Sequence, residues 1–338
     1  MSRTRIVGLI TALVSAAVVG PFVVVLSAST ATATTTSIAL DPHKPIALGQ
    51  SLTITGTLTT DDPAVMPEQL AVTRTDSEGT QPLTGPVSVT GSGSPGQYTL
   101  QIDDTPRLGQ TNTYDVTYTG ATTASGSVDI EVQRKQPGLS VTTDRTTYGY
   151  GATAHVRAHL GATYTNRAVS IYAKPYGGTW GLLRSANVDA DGYLRTSHVM
   201  SRRTVFRVTF TGDARYGDRT LLATRYSRAR LVERLHRWYD TSRGYHLYRM
   251  STDPKQTVRV HPGHAGDCIR FRAQRRHNGA WHGVALSGCI ALSSTSGAAV
   301  LLRGSPVPFE PYRLRAELPS TPKNAATKGR WQLLKFTA

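Results

Sequence analysis

The chain of 338 residues carries 38 Lys and Arg against 22 Asp and Glu, a net charge of +16 with neutral His. That length leaves room for two or three domains, and two cysteines allow a single intramolecular bridge, which excludes a disulfide-dense scaffold. One apolar stretch of membrane length stands at the N-terminus and none follows it, which excludes a helical membrane protein with several spans.

Met1 to Arg5 is basic, Ile6 to Leu26 is almost wholly apolar, and Ser29-Thr30-Ala31 or Ala31-Thr32-Ala33 offers a small-residue cleavage site. This is the pattern of a secretory signal peptide over residues 1–33. The alternative is an uncleaved anchor, and membrane contact is expected only in that case. Gly20-Pro21 interrupts the run and an Ala/Thr-rich segment follows it, which favours cleavage.

Strand patterns then repeat along the chain. Gly49-Gln50-Ser51-Leu52-Thr53-Ile54-Thr55-Gly56-Thr57-Leu58 returns as Gly151-Ala152-Thr153-Ala154-His155-Val156-Arg157-Ala158-His159-Leu160. Gly96-Gln97-Tyr98-Thr99-Leu100 parallels Gly192-Tyr193-Leu194-Arg195-Thr196, and Tyr114-Asp115-Val116-Thr117-Tyr118-Thr119-Gly120 parallels Phe206-Arg207-Val208-Thr209-Phe210-Thr211-Gly212. Alternation of apolar and polar residues ending on Gly predicts half-buried antiparallel strands leading into turns. A diverged third copy follows, with Gly266-Asp267-Cys268-Ile269-Arg270-Phe271 expected as its early strand and Pro311-Tyr312-Arg313-Leu314-Arg315-Ala316 as its late one. Tyr176-Gly177-Gly178-Thr179-Trp180 matches His277-Asn278-Gly279-Ala280-Trp281, a Gly turn delivering a Trp into the next strand. Both Trp180 and Trp281 are expected in the core rather than as sugar platforms.

These copies resemble the bacterial Ig-like repeat domains of secreted and surface proteins in high-GC Gram-positive bacteria. The resemblance implies an all-β chain of three tandem Ig-like antiparallel β-sandwich domains after the signal peptide, over 36–133, 138–240 and 242–338. It also implies a stalk, spacer or adhesive role. Arg225 to Tyr239, the most basic stretch, has apolar spacing that suits a short amphipathic helix, but the resemblance makes it the closing strand of the second domain, running toward the opening strand Tyr245-His246-Leu247-Tyr248-Arg249 of the third. Cys268 and Cys289 are expected to pair locally within the third domain, closing a loop of about 20 residues.

Catalytic and metal signals are weak. Gly91-Ser92-Gly93-Ser94-Pro95-Gly96 matches a dinucleotide fingerprint without a βαβ context and is expected to be a hairpin loop. Asp189-Ala190-Asp191-Gly192 lacks the remaining carboxylates of a calcium loop and is expected to be a turn. His261-Pro262-Gly263-His264-Ala265-Gly266-Asp267 has no recognisable zinc spacing. Leu318-Pro319-Ser320-Thr321-Pro322 is a near miss for a sortase signal, with Pro322 where Gly is required and no apolar tail. The expectation is a protein that is not an enzyme and needs no metal or cofactor.

Charge is the strongest functional hint. Through Glu131, and without the leader, three basic residues stand against eleven acidic ones; from Gln133 onward the counts are 33 and 11. A positive surface of that size attracts polyanions. The expected contacts are Arg228, Arg230, Arg234, Arg237, Arg275 and Arg276, meeting the phosphates or carboxylates of anionic cell-wall polymers, with no specific nucleic acid expected. A generic solvated basic surface, a passive spacer or matrix protein, and a protein-specific adhesin or enzyme inhibitor stay open beside it.

Overall fold

Side chains alternate across the pleat of a strand, so one row of each strand is available to a core. In Thr204–Phe210 that row is Thr204, Phe206, Val208 and Phe210, all buried. In Gln110–Thr119 it is Asn112, Tyr114, Val116 and Tyr118, and in Pro311–Leu318 it is Tyr312, Leu314, Ala316 and Leu318. Each large apolar side chain so buried contributes about 1.5–3 kcal/mol, which makes these rows the main source of stability. The computed structural model describes residues 35–85 and 87–338, and the signal peptide expected over 1–33 lies outside the described residues. A 3-10 turn at Pro67–Gln69 is the only helical element among the described residues. The fold is an all-β array of two-sheet sandwiches.

The first sandwich packs the sheet Ser37–Leu40, Leu52–Thr59, Gln97–Asp104, Val87–Gly91 on the sheet Ile46–Ala47, Thr123–Gln133, Gln110–Thr119, Leu70–Asp76, Gly79–Pro82. The second packs Leu139–Thr143, Ala152–Leu160, Tyr193–Met200 on Thr147–Tyr148, Arg219–Ser227, Thr204–Phe210, Ala168–Pro175, Gly181–Asn187. In the third, Arg230–His236, Lys255–His261 and Gly297–Leu301 form the small sheet. Its large sheet runs Asp240–Ser242, Tyr245–Arg249, Gln332–Thr337, Pro311–Leu318, Cys268–His277, Ala280–Leu286, with Ile290–Ala291 and Thr327–Lys328 at the rim. One crossing recurs in all three. The entering strand pairs antiparallel in the small sheet, and a short strand that follows, Ile46–Ala47, Thr147–Tyr148 or Tyr245–Arg249, crosses over to pair parallel with the last strand of the other sheet.

Two expectations are corrected. Arg230–His236 is a strand, but it pairs along its whole length with Lys255–His261 and so opens the third sandwich; the second closes at Arg219–Ser227, not at 240. The reason lies in its inward row, since Leu231 and Leu235 each pack in a core cluster of the third sandwich. Cys268–His277 is likewise not the counterpart of Ala152–Leu160. Its pairing with the Trp281 hairpin makes it the counterpart of Ala168–Pro175, which pairs with the hairpin that carries Trp180. Cys268 and Cys289 are bridged, with Cα atoms 5.3 Å apart, tying that strand to the rim strand Ile290–Ala291.

The first two sandwiches each hold one core cluster, whereas the third holds two. Glu233 sits in the inward row between Leu231, which joins one cluster, and Leu235, which joins the other. Gln256, fully buried, donates to the Glu233 carboxylate at 3.0 Å. A polar pair thus stands where a continuous core would otherwise run.

Both junctions are stitched by main chain. Lys135 N donates to Arg215 O at 2.8 Å, Gly217 N donates to Lys135 O at 2.9 Å, and Gly109 N donates to Ala214 O at 2.7 Å. At the next junction Ala325 N donates to Ser227 O at 2.9 Å and Arg203 N to Lys323 O at 2.7 Å. Asn324, buried, donates from Nδ2 to Ser201 O and Ser227 O at 2.9 and 3.0 Å. The two loops involved follow the corresponding strands Thr204–Phe210 and Pro311–Leu318, and each forms a parallel bridge with the linker that enters its own module.

Candidate anion-binding surface

The outward row of Arg230–His236 presents Arg230, Arg234 and His236. Across the ladder Arg230 lies opposite His261, Arg234 opposite Thr257 and His236 opposite Lys255, so the outward row of the neighbouring strand adds Lys255 and Arg259. The third strand contributes Gly297, Ala299 and Leu301 to this face. Four permanent cations therefore share one sheet face with no carboxylate in its outward rows, and Arg230, Arg234 and Arg259 are exposed. None of the four makes an ion pair among the described residues. Like charges so arranged raise the local potential and attract anions.

The sequence pointed to Arg230 and Arg234 but missed Lys255 and Arg259. Their signal was present as alternation in Lys255-Gln256-Thr257-Val258-Arg259-Val260-His261, where Gln256, Val258 and Val260 are the buried row. Arg228 and Arg237 flank the strand and are exposed. Arg275 and Arg276 lie on the other sheet and do not join this face. Arg275 is corrected from a free contact to an ion-paired residue, its Nε 3.1 Å from Glu310 Oε2 and its side chain half-buried. Arg276 stays exposed opposite Trp281.

Beneath the basic face lies Glu233. Burial pushes its carboxyl up to about 7, against the opposing pull of hydrogen bonds from the Ala316 N–H and from Gln256 and of the nearby Arg315 charge. Gly329 packs so closely that a Cβ there would overlap the carboxylate. Burial thus favours the neutral form of this acid beneath the face.

Trp180 and Trp281 are not core residues, and this too corrects the expectation. Both are half-buried and belong to outward faces, where cations cover them. In the second module the Arg207 guanidinium lies 4.4 Å from the Tyr172 ring centroid and 4.6 Å from that of Trp180. In the third, Arg313 lies 4.2 Å from both Trp281 and Trp331, and Arg315 lies 4.2 Å from Trp331. The matched Gly turns place these Trp residues equivalently. The matched strands place Arg207 and Arg313 equivalently, each following an inward aromatic, Phe206 or Tyr312. Cation–π contacts of this kind contribute about 0.5–2 kcal/mol each.

The remaining signals resolve as turns and packing. Gly91–Gly96 connects two paired strands, and Gly192 at φ +81° closes the Asp189 turn, with Tyr193 N–H donating to Asp189 Oδ1 at 2.7 Å. His264 is fully buried, with Nδ1 2.8 Å from Asp267 Oδ2 and Nε2 3.0 Å from Asn324 Oδ1. Both nitrogens are thus engaged in packing the second junction, and Lys323 Nζ adds a 3.0 Å contact to Asp267. The sortase-like segment leads into this same loop, where Thr321 accepts from Asn324 N–H at 3.1 Å.

No family model and no curated protein matches the chain. Among solved structures, the adhesin InvE of Yersinia pseudotuberculosis is similar at 18% identity over 58% of this chain and 59% of its own, with a TM-score of 0.29. The chain spans less than two thirds of that structure, and a likeness of this size carries no argument about function.

Proposed function

We propose that this chain is an exported, non-enzymatic Ig-like repeat protein of the cell envelope or its surroundings, with an adhesive or structural role exercised through a basic surface for anionic polymers. The observation that carries the reading is the small-sheet face of the third module, where Arg230, Arg234, Lys255 and Arg259 share one surface without a carboxylate. The leader-like N-terminus and the Cys268–Cys289 bridge support export, because disulfides persist in oxidising compartments. The stitched junctions suit a protein that holds its modules at fixed spacing.

The test is retention of the purified mature protein on isolated Gram-positive cell walls, with and without their phosphate polymers, across a salt series. Retention is expected to fall steeply with salt and with polymer removal. The triple variant Arg230→Glu, Arg234→Glu, Arg259→Glu is expected to lose retention with its melting temperature kept. Absence of retention at low salt would move the reading to a passive spacer.

A further inference from the structure

The two Arg stacks differ in one instructive respect. In the third module Arg313 is opposite Gln274 in the ladder, and Gln274 Oε1 accepts from Arg313 Nε at 2.8 Å and from Nη2 at 2.5 Å. An oxygen of the protein thus fills the edge of the guanidinium, while the rings of Trp281 and Trp331 flank it. In the second module the position opposite Arg207 is Tyr172. Arg207 makes no hydrogen bond or ion pair among the described residues, and its Nε is buried without a partner. Its cation is therefore held by Tyr172 and Trp180 alone, with no oxygen where the sister module supplies one. Nε itself is covered, so an incoming carboxylate or phosphate would meet the Nη N–H groups, whose in-plane geometry its oxygens match.

The surroundings decide which anion fits. Arg207 and Tyr172 stand in a cross-strand row flanked by Leu182 beside Tyr172 and Leu222 beside Arg207, exposed by 57% and 63%. Lys174 is the next outward residue along the Tyr172 strand and lies 5.9 Å from the Trp180 centroid. The patch is thus an apolar and aromatic floor around the Arg207 cation, with Lys174, which also makes no ion pair among the described residues, at its side. A bare phosphate would leave that floor uncovered, while a pyranose ring bearing a carboxylate covers it with its C–H face and brings the anion to the guanidinium.

We infer that the Arg207 stack of the second module, formed with Tyr172 and Trp180, is a binding site for a carboxylated saccharide. It is a different surface from the basic face of the third module and takes its ligand by shape as well as charge. The corresponding place in the third module is already satisfied by Gln274, so the second module carries the open copy.

The experiment titrates the full chain with polygalacturonate, with uncharged dextran and with inorganic polyphosphate, following Trp fluorescence and, independently, binding by calorimetry. Polygalacturonate is expected to perturb the fluorescence and to bind, dextran to do neither. Arg207→Gln and Arg207→Lys are each expected to weaken polygalacturonate binding about tenfold or more, because Lys keeps the charge but not the planar fork. Trp180→Ala is expected to do the same, while Arg313→Gln leaves the affinity unchanged, and melting curves show which variants stay folded. Polygalacturonate binding that survives Arg207→Gln and is abolished by reversing Arg230, Arg234 and Arg259 would overturn the inference while leaving the proposed function standing. No polygalacturonate binding at all would overturn it as well, and polyphosphate retention in that same experiment shows whether the basic face still acts.

Discussion

The first and second modules share one strand almost letter for letter, and they part company on its two faces. Inward, Tyr114 and Val116 correspond to Phe206 and Val208, all fully buried. Outward, Asp115 stands where Arg207 does. Across the sheets the first module reads Pro82, Thr73, Asp115, Ser127 where the second reads Leu182, Tyr172, Arg207, Leu222. The inward row keeps its character because a sandwich tolerates little change in volume or polarity. The outward row is free to change sign, and that freedom is where the modules acquire different chemistry.

The inward faces are not identical either. In the first module Arg74 is buried, 2.8 Å from Asp104 Oδ2, and the Tyr114 hydroxyl donates to the same carboxylate at 2.7 Å. Burial and Asp104 together push the Tyr114 hydroxyl well above its ordinary range. The second module places Phe206 at this position, with no hydroxyl to satisfy. Asp104→Ala is therefore expected to cost about 3–5 kcal/mol, because it leaves the buried guanidinium only the longer Asp76 contact at 3.4 Å and takes the acceptor from the Tyr114 hydroxyl. Phe206→Ala is expected to cost a similar 3–5 kcal/mol by opening a cavity. Chemical denaturation of the full chain should show each loss as an early transition of one module, and a single unshifted transition would refute the comparison.

Removing the bridge with Cys268→Ser and Cys289→Ser together is expected to cost the third module about 3 kcal/mol for a loop of this length. The first two modules, which lack cysteines, should melt as before. Smaller still is the effect of Glu233, whose carboxyl is raised in the fold. Its protonated form stabilises the third module fully below the ordinary range near 4.5, and that contribution is lost as pH rises toward about 7. Glu233→Gln should therefore gain about 1 kcal/mol above pH 7, after allowance for partial solvent screening, and nothing below pH 4. Melting temperature against pH for the two proteins measures this directly. Arg207→Gln should shift stability least, by about 0.5 kcal/mol or less, since its two ring contacts are at the surface.

Much of this architecture is legible in the sequence. Period-two alternation with turn glycines exposes the strands, and the repeated strand and Gly-turn hairpin align the modules. Alternation does not state which sheet a strand joins, so Arg230–His236 reads as the end of the second module although its partner is Lys255–His261. Nor does it state which row faces inward when both rows carry large residues, which is why Trp180 and Trp281 were expected in the core. The capture of Arg275 by Glu310 depends on a loop far along the chain, and no local pattern announces it. The alternation of Lys255–His261 marks Lys255 and Arg259 as outward, but only the neighbouring strand shows that they join Arg230 and Arg234 on one face.

The junction loops carry a mechanical consequence. A chain pulled from its ends would load each linker first, and Lys135 and Arg228 are each clamped by parallel bridges from the module they enter. Lengthening the first linker at Lys135 requires breaking its bonds to both Arg215 and Gly217. Each junction would therefore yield at a higher force than a free linker, and extension would begin inside a sandwich only after its clamp had slipped.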